Sequence, residues 1–379
     1  MPKDLKEIKT SFRCLIAGGG TGGHLFPGIA VAREMEARFV DNEILFIVGH
    51  KRMESGLLAH YGCRATCIDV EGLKGRGWRK GLSVMAKLPK SIFQSASIIK
   101  GFSPALVLGM GGYSAGPVCL AARLMGIPTA IHEQNAYPGL TNRLLARVVD
   151  RVFISFNESK SHFNARSLFL TGNPVRKELF SDASPGAEDR KAFSILVLGG
   201  SQGATAINRV FTETLLYLKA KGRNPDVIHQ TGKTDYERVV QDYREKGIRG
   251  ELFPFIQDMA TAYNRADLVV SRAGATTIFE LAALGKPSIL IPYPYATNQH
   301  QKTNAHGMVR AGGAEMISQS ELSGEGLAQM LIRLMDNRPA LEQMGKDAKR
   351  MARPDAAKTI VDQLVALVGA YRKKNFLGQ

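Results

Sequence analysis

Several things are scarce in this chain of 379 residues. Four cysteines, Cys14, Cys63, Cys67 and Cys119, fit no zinc-ligand spacing and read as buried free thiols. No run approaches the roughly 18 consecutive apolar residues of a membrane-spanning helix. The first nine residues, Met1 to Lys9, are charged and lack the apolar core of a secretory signal, so a cytoplasmic location is expected. No Asp-x-Asp pair occurs and no metal-ligand spacing stands out, so metal-independent chemistry is expected, with no metal site. Acidic residues are absent from Gly72 to Lys100, and Trp78, the one tryptophan, lies in that stretch.

The formal charge of +16 calls for an acidic partner or surface. No helix-turn-helix, zinc finger or aromatic RNA-binding signature accompanies it, so nucleic acid is not the expected partner. The acid-free stretch carries Lys74, Arg76, Arg79, Lys80, Lys87, Lys90 and Lys100 among Trp78, Leu82, Val84, Met85, Leu88, Ile92 and Phe93. Cations interleaved with an indole and aliphatics suit an anionic membrane surface. A helix that packs its apolar side on its own domain is the alternative.

The length exceeds what one core usually fills, so two domains are expected. Apolar strands at 12–17, 44–48, 64–69, 105–108, 129–132 and 151–154 alternate with helices near 28–39, 52–60, 84–100, 115–125 and 139–147. After the polar run Ser181 to Asp189, a second series has strands near 194–198, 226–230, 251–253, 268–271, 288–291 and 314–317. It ends in helices near 325–336, 339–351 and 355–371. Both halves read as α/β, doubly wound parallel sheets, whose ligands sit beyond the carboxyl ends of the strands.

Both first strands run into glycine loops, Gly18-Gly19-Gly20-Thr21-Gly22-Gly23-His24 and Gly199-Gly200-Ser201-Gln202-Gly203-Ala204. Glycines let a phosphate or sugar approach the main chain, and the following helix aims its positive end at the same place. Gly18, Gly20 and Gly23 also satisfy the dinucleotide pattern G-x-G-x-x-G. That site wants a carboxylate after the second strand, where this chain has Gly49-His50-Lys51-Arg52. NADP, through Arg52, and a turn that binds nothing stay open as alternatives. His24 is a candidate general base. Hydroxyls and N–H groups of Ala275, Thr276 and Thr277 can take a diphosphate, and Glu280, one turn into the helix, can accept ribose hydroxyls. A well-capped helix is the plainer reading. The segment Ile291 to Gln301 is rich in amides able to read sugar hydroxyls.

Six motifs in order resemble the MurG family, the UDP-N-acetylglucosamine transferases of peptidoglycan synthesis. They are Gly19 to His24, Gly109-Met110-Gly111-Gly112-Tyr113, His132-Glu133-Gln134-Asn135, Gly172-Asn173-Pro174-Val175-Arg176, Gly199 to Ala204, and Ser271-Arg272-Ala273-Gly274, spread over nearly the whole chain. The resemblance implies a GT-B fold, two Rossmann-like domains facing a central cleft. It implies an acceptor- and membrane-binding domain at 1–175, a linker at 176–193, a UDP-sugar-binding domain at 194–354, and a last helix at 355–379 returning to the first domain. It implies inverting transfer of N-acetylglucosamine from UDP to the 4-hydroxyl of undecaprenyl-pyrophosphoryl-N-acetylmuramyl-pentapeptide, lipid I, giving lipid II, with His24 as base and no cofactor.

By position, Thr21, Gly22 and Gly23 would touch the donor, Asn135 would face the sugar, and Arg176 and Ser201 would lie near the diphosphate. Ile256 would hold uracil through its backbone, Ala275, Thr276, Thr277 and Glu280 would bind diphosphate and ribose, and Gln301 would bind the donor sugar. Asn298, Gln299 and His300 depart from the family's acidic and basic residues before that glutamine. A lipid acceptor favours membrane contact through Trp78, Arg79, Lys80, Leu82, Lys87 and Phe93, a peripheral location on the cytoplasmic face of the inner membrane, and partners among cell-wall synthesis proteins. The rivals are another UDP-sugar enzyme on this scaffold, a glycolipid glycosyltransferase or a UDP-N-acetylglucosamine epimerase, and a non-catalytic nucleotide-binding protein.

Overall fold

Strands buried on both faces read as near-continuous apolar runs, and here those runs build two parallel sheets. The computed structural model describes residues 12–20, 22–49, 52–70, 78–165, 167–180, 192–200 and 203–377, with the backbone alone at 52–53, 78–87 and 375–377. The chain divides into one unit of Met1–Val175 with Pro354–Gln379 and a second of Arg176–Arg353.

The first unit holds a seven-stranded sheet in the order β3-β2-β1-β4-β5-β6-β7. Its strands are β1 (Phe12–Gly18), β2 (Asn42–Gly49), β3 (Ala65–Ile68), β4 (Leu106–Gly111), β5 (Thr129–Glu133), β6 (Arg151–Ile154) and β7 (Leu168–Leu170). The helices between them are α1 (Gly22–Arg38), α2 (Arg52–His60), α3 (Trp78–Phe102), α4 (Gly112–Leu124) and α5 (Leu140–Leu145). Side chains alternate across a strand. Cys14 and Ile16 of β1 and Leu106 and Leu108 of β4 therefore join Leu25 and Ile29 of α1 on one face. Leu15, Ala17 and Val107 join Ile99 of α3 and Val118 and Cys119 of α4 on the other. The first face is completed from far along the chain by α13 (Ala356–Leu377), through Ile360, Val361, Leu364, Leu367 and Val368. Polar contacts tie the same helix down. Tyr371 donates to Asp150 at 2.7 Å, Arg151 to the Gln363 side chain at 2.7 Å, and Arg38 pairs with Asp362.

The second unit repeats the order, β10-β9-β8-β11-β12-β13. Its elements are β8 (Ser194–Leu198), α6 (Thr205–Ala220), β9 (Asp226–Gln230), α7 (Tyr236–Glu245), β10 (Glu251–Phe253), α8 (Met259–Arg265), β11 (Leu268–Ser271), α9 (Ala275–Leu284), β12 (Ser288–Leu290), α10 (His300–Arg310), β13 (Ala314–Met316), α11 (Gly324–Met335) and α12 (Arg338–Arg350). Behind its sheet His229 is wholly buried between Asn208 Oδ1, 3.0 Å away, and the Tyr243 hydroxyl, 3.1 Å away. Burial pushes this imidazole down to about 3.

Both halves are the doubly wound sheets that the alternation predicts, with differences in detail. α1 begins at Gly22 rather than near 28, because Gly22, Gly23 and Pro27, all poor helix formers, disguise its opening turns. β7 was not expected, being three residues on the sheet edge. All four cysteines are free, but only Cys14 and Cys119 are buried; Cys63 and Cys67, beside and within the short β3, are half-exposed.

Two outcomes follow for stability. Leu364→Ala empties a site with 0% exposure in the first unit and is expected to cost about 2–5 kcal/mol, read as a drop in the urea midpoint. His229 has a folded pKa below its unfolded value of 6.5, so the unfolded chain takes up the extra proton in acid. Its contribution is present above pH 6.5 and is lost as pH falls toward 3, at roughly 1.4 kcal/mol per pH unit at the steepest. Urea midpoints measured from pH 7 to pH 4.5 should fall, and less so in His229→Gln.

Candidate active site

In each sheet the strand order reverses beside the first strand, between β1 and β4 and again between β8 and β11, and crevices open at such points. In the first unit, the loops leaving β1 and β4 meet backbone to backbone. A Cβ on Gly112, which has φ +79°, would lie 2.3 Å from the Gly19 carbonyl oxygen. A Cβ on Gly111, at φ +91°, would lie 3.0 Å from Nδ1 and Cε1 of His24. Glycines are therefore required for the chains to meet and for the imidazole to fit. The β1–β4 register slips between Ala17 and Gly18, skipping Met110. The Met110 carbonyl, outside the ladder, accepts from Gln134 Nε2 at 2.9 Å. Gln134 Oε1 lies 2.9 Å from His24 Nδ1, and its Nε2 lies 3.0 Å from Nδ1 of the buried His132. His132 Nε2 donates to the Gly172 carbonyl at 3.0 Å. Burial, with a smaller push from His24, lowers His132 to about 4.

A carboxylate closes the floor of this crevice. Glu54, in the first turn of α2 and 2% exposed, accepts the Gly20 N–H through Oε1 at 2.6 Å, and a Cβ on Gly19 would lie 2.6 Å from its Oε2. The Gly20 N–H is thus not uncovered, as the glycine count suggested. A phosphate here would face a carboxylate, which opposes nucleotide binding in the first unit. A second buried carboxylate, Glu133, folds the loop after β5. Its Oε1 accepts from the Asn135 backbone at 3.0 Å and side chain at 3.2 Å, and its Oε2 from Gly139 N at 3.0 Å and Asn142 Nδ2 at 2.9 Å.

The second unit's crevice is built differently. α6 and α9, leaving β8 and β11, start at Ala204 and Gly274 with no side-chain cap. Asp258, Ser323 and Asn337 do cap α8, α11 and α12. Gly203, at φ +77°, would place a Cβ 2.3 Å from the Thr231 carbonyl oxygen, so its loop lies tight against the end of β9. Gln230 ties that loop to the next one, donating to the Gly200 carbonyl at 3.0 Å and accepting the Ile256 N–H at 2.8 Å. Arg176 and Glu280 form an ion pair at 2.9 Å with side chains only 9% and 7% exposed. Tyr263 donates to the other Glu280 oxygen at 3.0 Å. Its own burial, then the Glu280 charge, holds the phenol well above its usual range.

The sequence-expected residues thus fall into two groups. His24, Gly22, Gly23 and Asn135 belong to the first unit, with the three former in the opening turn of α1 rather than in a free loop. Arg176, Ile256, Ala275, Thr276, Thr277, Glu280 and Gln301 belong to the second. Arg176 and Glu280, expected on diphosphate and ribose separately, meet each other. The Ile256 N–H is taken by Gln230, and Gln301 Oε1 accepts the Tyr293 N–H at 2.9 Å. Ahead of Gln301, Asn298 and Gln299 both take left-handed backbone, φ 52°. Thr21 and Ser201 lie outside the described residues, as do the side chains of Trp78, Arg79, Lys80, Leu82 and Lys87. Phe93 on α3 is 77% exposed, while Lys90 of the basic stretch pairs with Asp69 at 2.8 Å. Sequence reasoning missed Glu54, Gln134 and Gln230. Glu54 stands just past the strand end where a carboxylate was sought, and Gln134 lies inside a quoted motif.

Residues 14–154 match the glycosyltransferase family 28 N-terminal domain, and residues 194–360 match the glycosyltransferase family 28 C-terminal domain. A protein of Geobacter sulfurreducens is 48% identical over 93% of this chain and 98% of its own length. One of Myxococcus xanthus is 46% identical over 94% of this chain and 93% of its own. Both carry the name UDP-N-acetylglucosamine--N-acetylmuramyl-(pentapeptide) pyrophosphoryl-undecaprenol N-acetylglucosamine transferase. The crystal structure of Acinetobacter baumannii MurG superposes with a TM-score of 0.76 at 32% identity, over 94% of this chain and 100% of that one. UDP-GlcNAc 2-epimerase from Neisseria meningitidis, at 14% identity and a TM-score of 0.67, shares the fold alone. With both domain matches in order and full-length relatives near half identity, the chain belongs to glycosyltransferase family 28.

Proposed function

We propose that this chain transfers N-acetylglucosamine from UDP-N-acetylglucosamine to the 4-hydroxyl of lipid-linked N-acetylmuramyl-pentapeptide, the reaction that converts lipid I to lipid II. One observation carries the reading: a chain that matches a relative named for this transfer over 93% of its length has a histidine in a glycine-lined crevice at the carboxyl end of β1. The donor reading rests on the contrast between the two units. The second offers uncapped helix N-termini on both sides of its switch point; in the first, α4 also starts uncapped at Gly111, but Glu54 covers Gly20 on the other side. A departing diphosphate would be met by the N–H groups at the start of α6 and α9, by the hydroxyls of Thr276 and Thr277, and by Arg176. Glu280 uses one lone pair on each oxygen for Arg176 and Tyr263, and has others for ribose hydroxyls. Thr21, Gly22, Gly23 and Asn135 would line the sugar side, with Ser201 near the diphosphate, uracil at Ile256, and Gln301 on the donor sugar.

In the chemical step His24 takes the proton of the muramyl 4-hydroxyl while that oxygen attacks the anomeric carbon from the face opposite UDP. The bond to the UDP oxygen breaks, UDP leaves with its electron pair, and configuration inverts to a β-1,4 linkage. The acceptor's lipid calls for contact with a membrane surface. Among the described residues no helix is long and apolar enough to cross one, so the contact would be peripheral. The exposed Phe93 supports the basic stretch around α3 as that contact. Exposed Leu140 and Leu144 on α5, set among Arg143 and Arg147, have the same mixed character.

Labelled UDP-N-acetylglucosamine supplied with the muramyl lipid is expected to give a labelled disaccharide lipid, and without it none. Consumption of the donor in the absence of lipid would mean an epimerase instead. His24→Ala should lower kcat by on the order of 10²–10⁴-fold with donor binding retained, and near-normal turnover would remove His24 as the base. Replacing Trp78, Leu82 and Phe93 together by serine should weaken sedimentation with phosphatidylglycerol vesicles but leave UDP binding intact. Equal sedimentation would return α3 to an ordinary packing role.

A further inference from the structure

A histidine can act as a base only through the ring nitrogen that lacks a proton, and neutral imidazole has two tautomers. Here main-chain carbonyls, which accept and never donate, decide which tautomer His24 adopts. Gln134 Nε2 sits 2.9 Å from the Met110 carbonyl oxygen and 3.3 Å from that of His132. Only an NH₂ group can face two carbonyl oxygens: one proton goes to Met110 and the other is shared between the His132 carbonyl and His132 Nδ1 at 3.0 Å, so the amide's orientation follows and its oxygen faces His24. That oxygen, 2.9 Å from His24 Nδ1, can only accept, so Nδ1 carries the proton and Nε2 is left bare.

The far end of the chain of bonds agrees. His132 Nε2 must donate to the Gly172 carbonyl, which leaves its Nδ1 bare to receive the second Gln134 proton at 3.0 Å. The ring is wholly buried, which keeps it neutral, so that acceptor persists at working pH. Gln134 is itself 1% exposed, so water does not compete for its amide. Every donor between Met110 and Gly172 thus has its acceptor in one arrangement, whereas an amide flip would set a carbonyl oxygen against two others.

We infer that Gln134, held by the Met110 carbonyl and by neutral His132, is a positioning residue that locks His24 in the Nδ1–H tautomer with Nε2 as the proton acceptor. The lock outlasts the proton transfer, because Nδ1–H donates to the same oxygen whether Nε2 is bare or protonated. An uncharged partner serves this end without a third carboxylate beside Glu54 and Glu133. The catalytic value of the lock rests on the reading of His24 as base; the tautomer itself does not.

The test is a long-range ¹H–¹⁵N spectrum of the full-length protein labelled at histidine, recorded above the titration range of His24, with its signals assigned by their loss in His24→Ala. Protonated Nδ1 and bare Nε2 are expected for His24, and the same for His132 would be inverted, with Nε2 protonated. Gln134→Met, which keeps length but offers no acceptor, should release His24 to Nε2–H and lower kcat by on the order of 10²-fold, with KM for UDP-N-acetylglucosamine within about threefold. Gln134→Glu, which keeps an acceptor for Nδ1 but sets its second oxygen against the Met110 and His132 carbonyls, should keep the Nδ1–H signature while losing stability, read as a lower urea midpoint. An Nε2-protonated His24 in the unmodified protein overturns the inference even if no variant folds. So does a Gln134→Met enzyme that keeps its kcat. The two readings fail separately: undiminished turnover of His24→Ala removes the base assignment whatever the spectrum shows, and the wrong tautomer removes the lock whatever His24→Ala does.

Discussion

Where β1 and β4 end, two stretches of main chain touch, and side chains would keep them apart. Gly19 and Gly112 meet at a distance no Cβ permits, and Gly111 leaves just the room that the His24 ring takes. The rest of the first unit's crevice depends on this contact. It brings the start of α1 beside the start of α4, and the slip in register that accompanies it turns the Met110 carbonyl out of the ladder toward Gln134. A glycine-rich strand end is usually discussed as space for a ligand. Here much of that space is used by the protein's own backbone, and the ligand-facing consequence is the pose of one imidazole.

The two units share strand order yet build their switch points differently. In the first, the Glu54 carboxyl already accepts the Gly20 N–H, so that donor is not open to a ligand. In the second, α6 and α9 start without side-chain N-caps; Asp235 accepts from Asn208 in the first turn of α6, and Glu280 in α9 is paired with Arg176. A buried ion pair of this kind adds little to stability against its desolvation cost. It leaves the Glu280 carboxylate, buried in α9, balanced by a cation.

Much of the fold was legible in the chain because parallel strands buried on both faces leave little ambiguity. Ile195 to Leu198 is apolar without interruption, and the structure buries every residue of it. Elements whose residues do not advertise their class were harder. α1 opens with Gly22, Gly23 and Pro27, which read as loop, and β7 is three residues long. The candidate site was legible where its residues lie in one contiguous motif, as in Gly19 to His24 and Ala275 to Glu280. It was not legible where partners meet across the sheet. Gln134 is 110 positions from His24, and Arg176 is 104 from Glu280. Glu54 was overlooked because its carboxylate sits one helical turn past the strand end and reaches back to the loop.

The placement of α13 sets an order of events during synthesis. The face of the first sheet that carries Ile16 and Leu108 is finished by Ile360, Val361 and Leu364, and all of the second unit, 176–353, is made in between. At about 5–20 residues per second, that apolar face waits roughly 10–40 s for its last helix. During this interval the second unit, contiguous in the chain, can fold by itself while the first cannot complete its core. The first domain therefore carries an open apolar face until the last helix arrives to cover it.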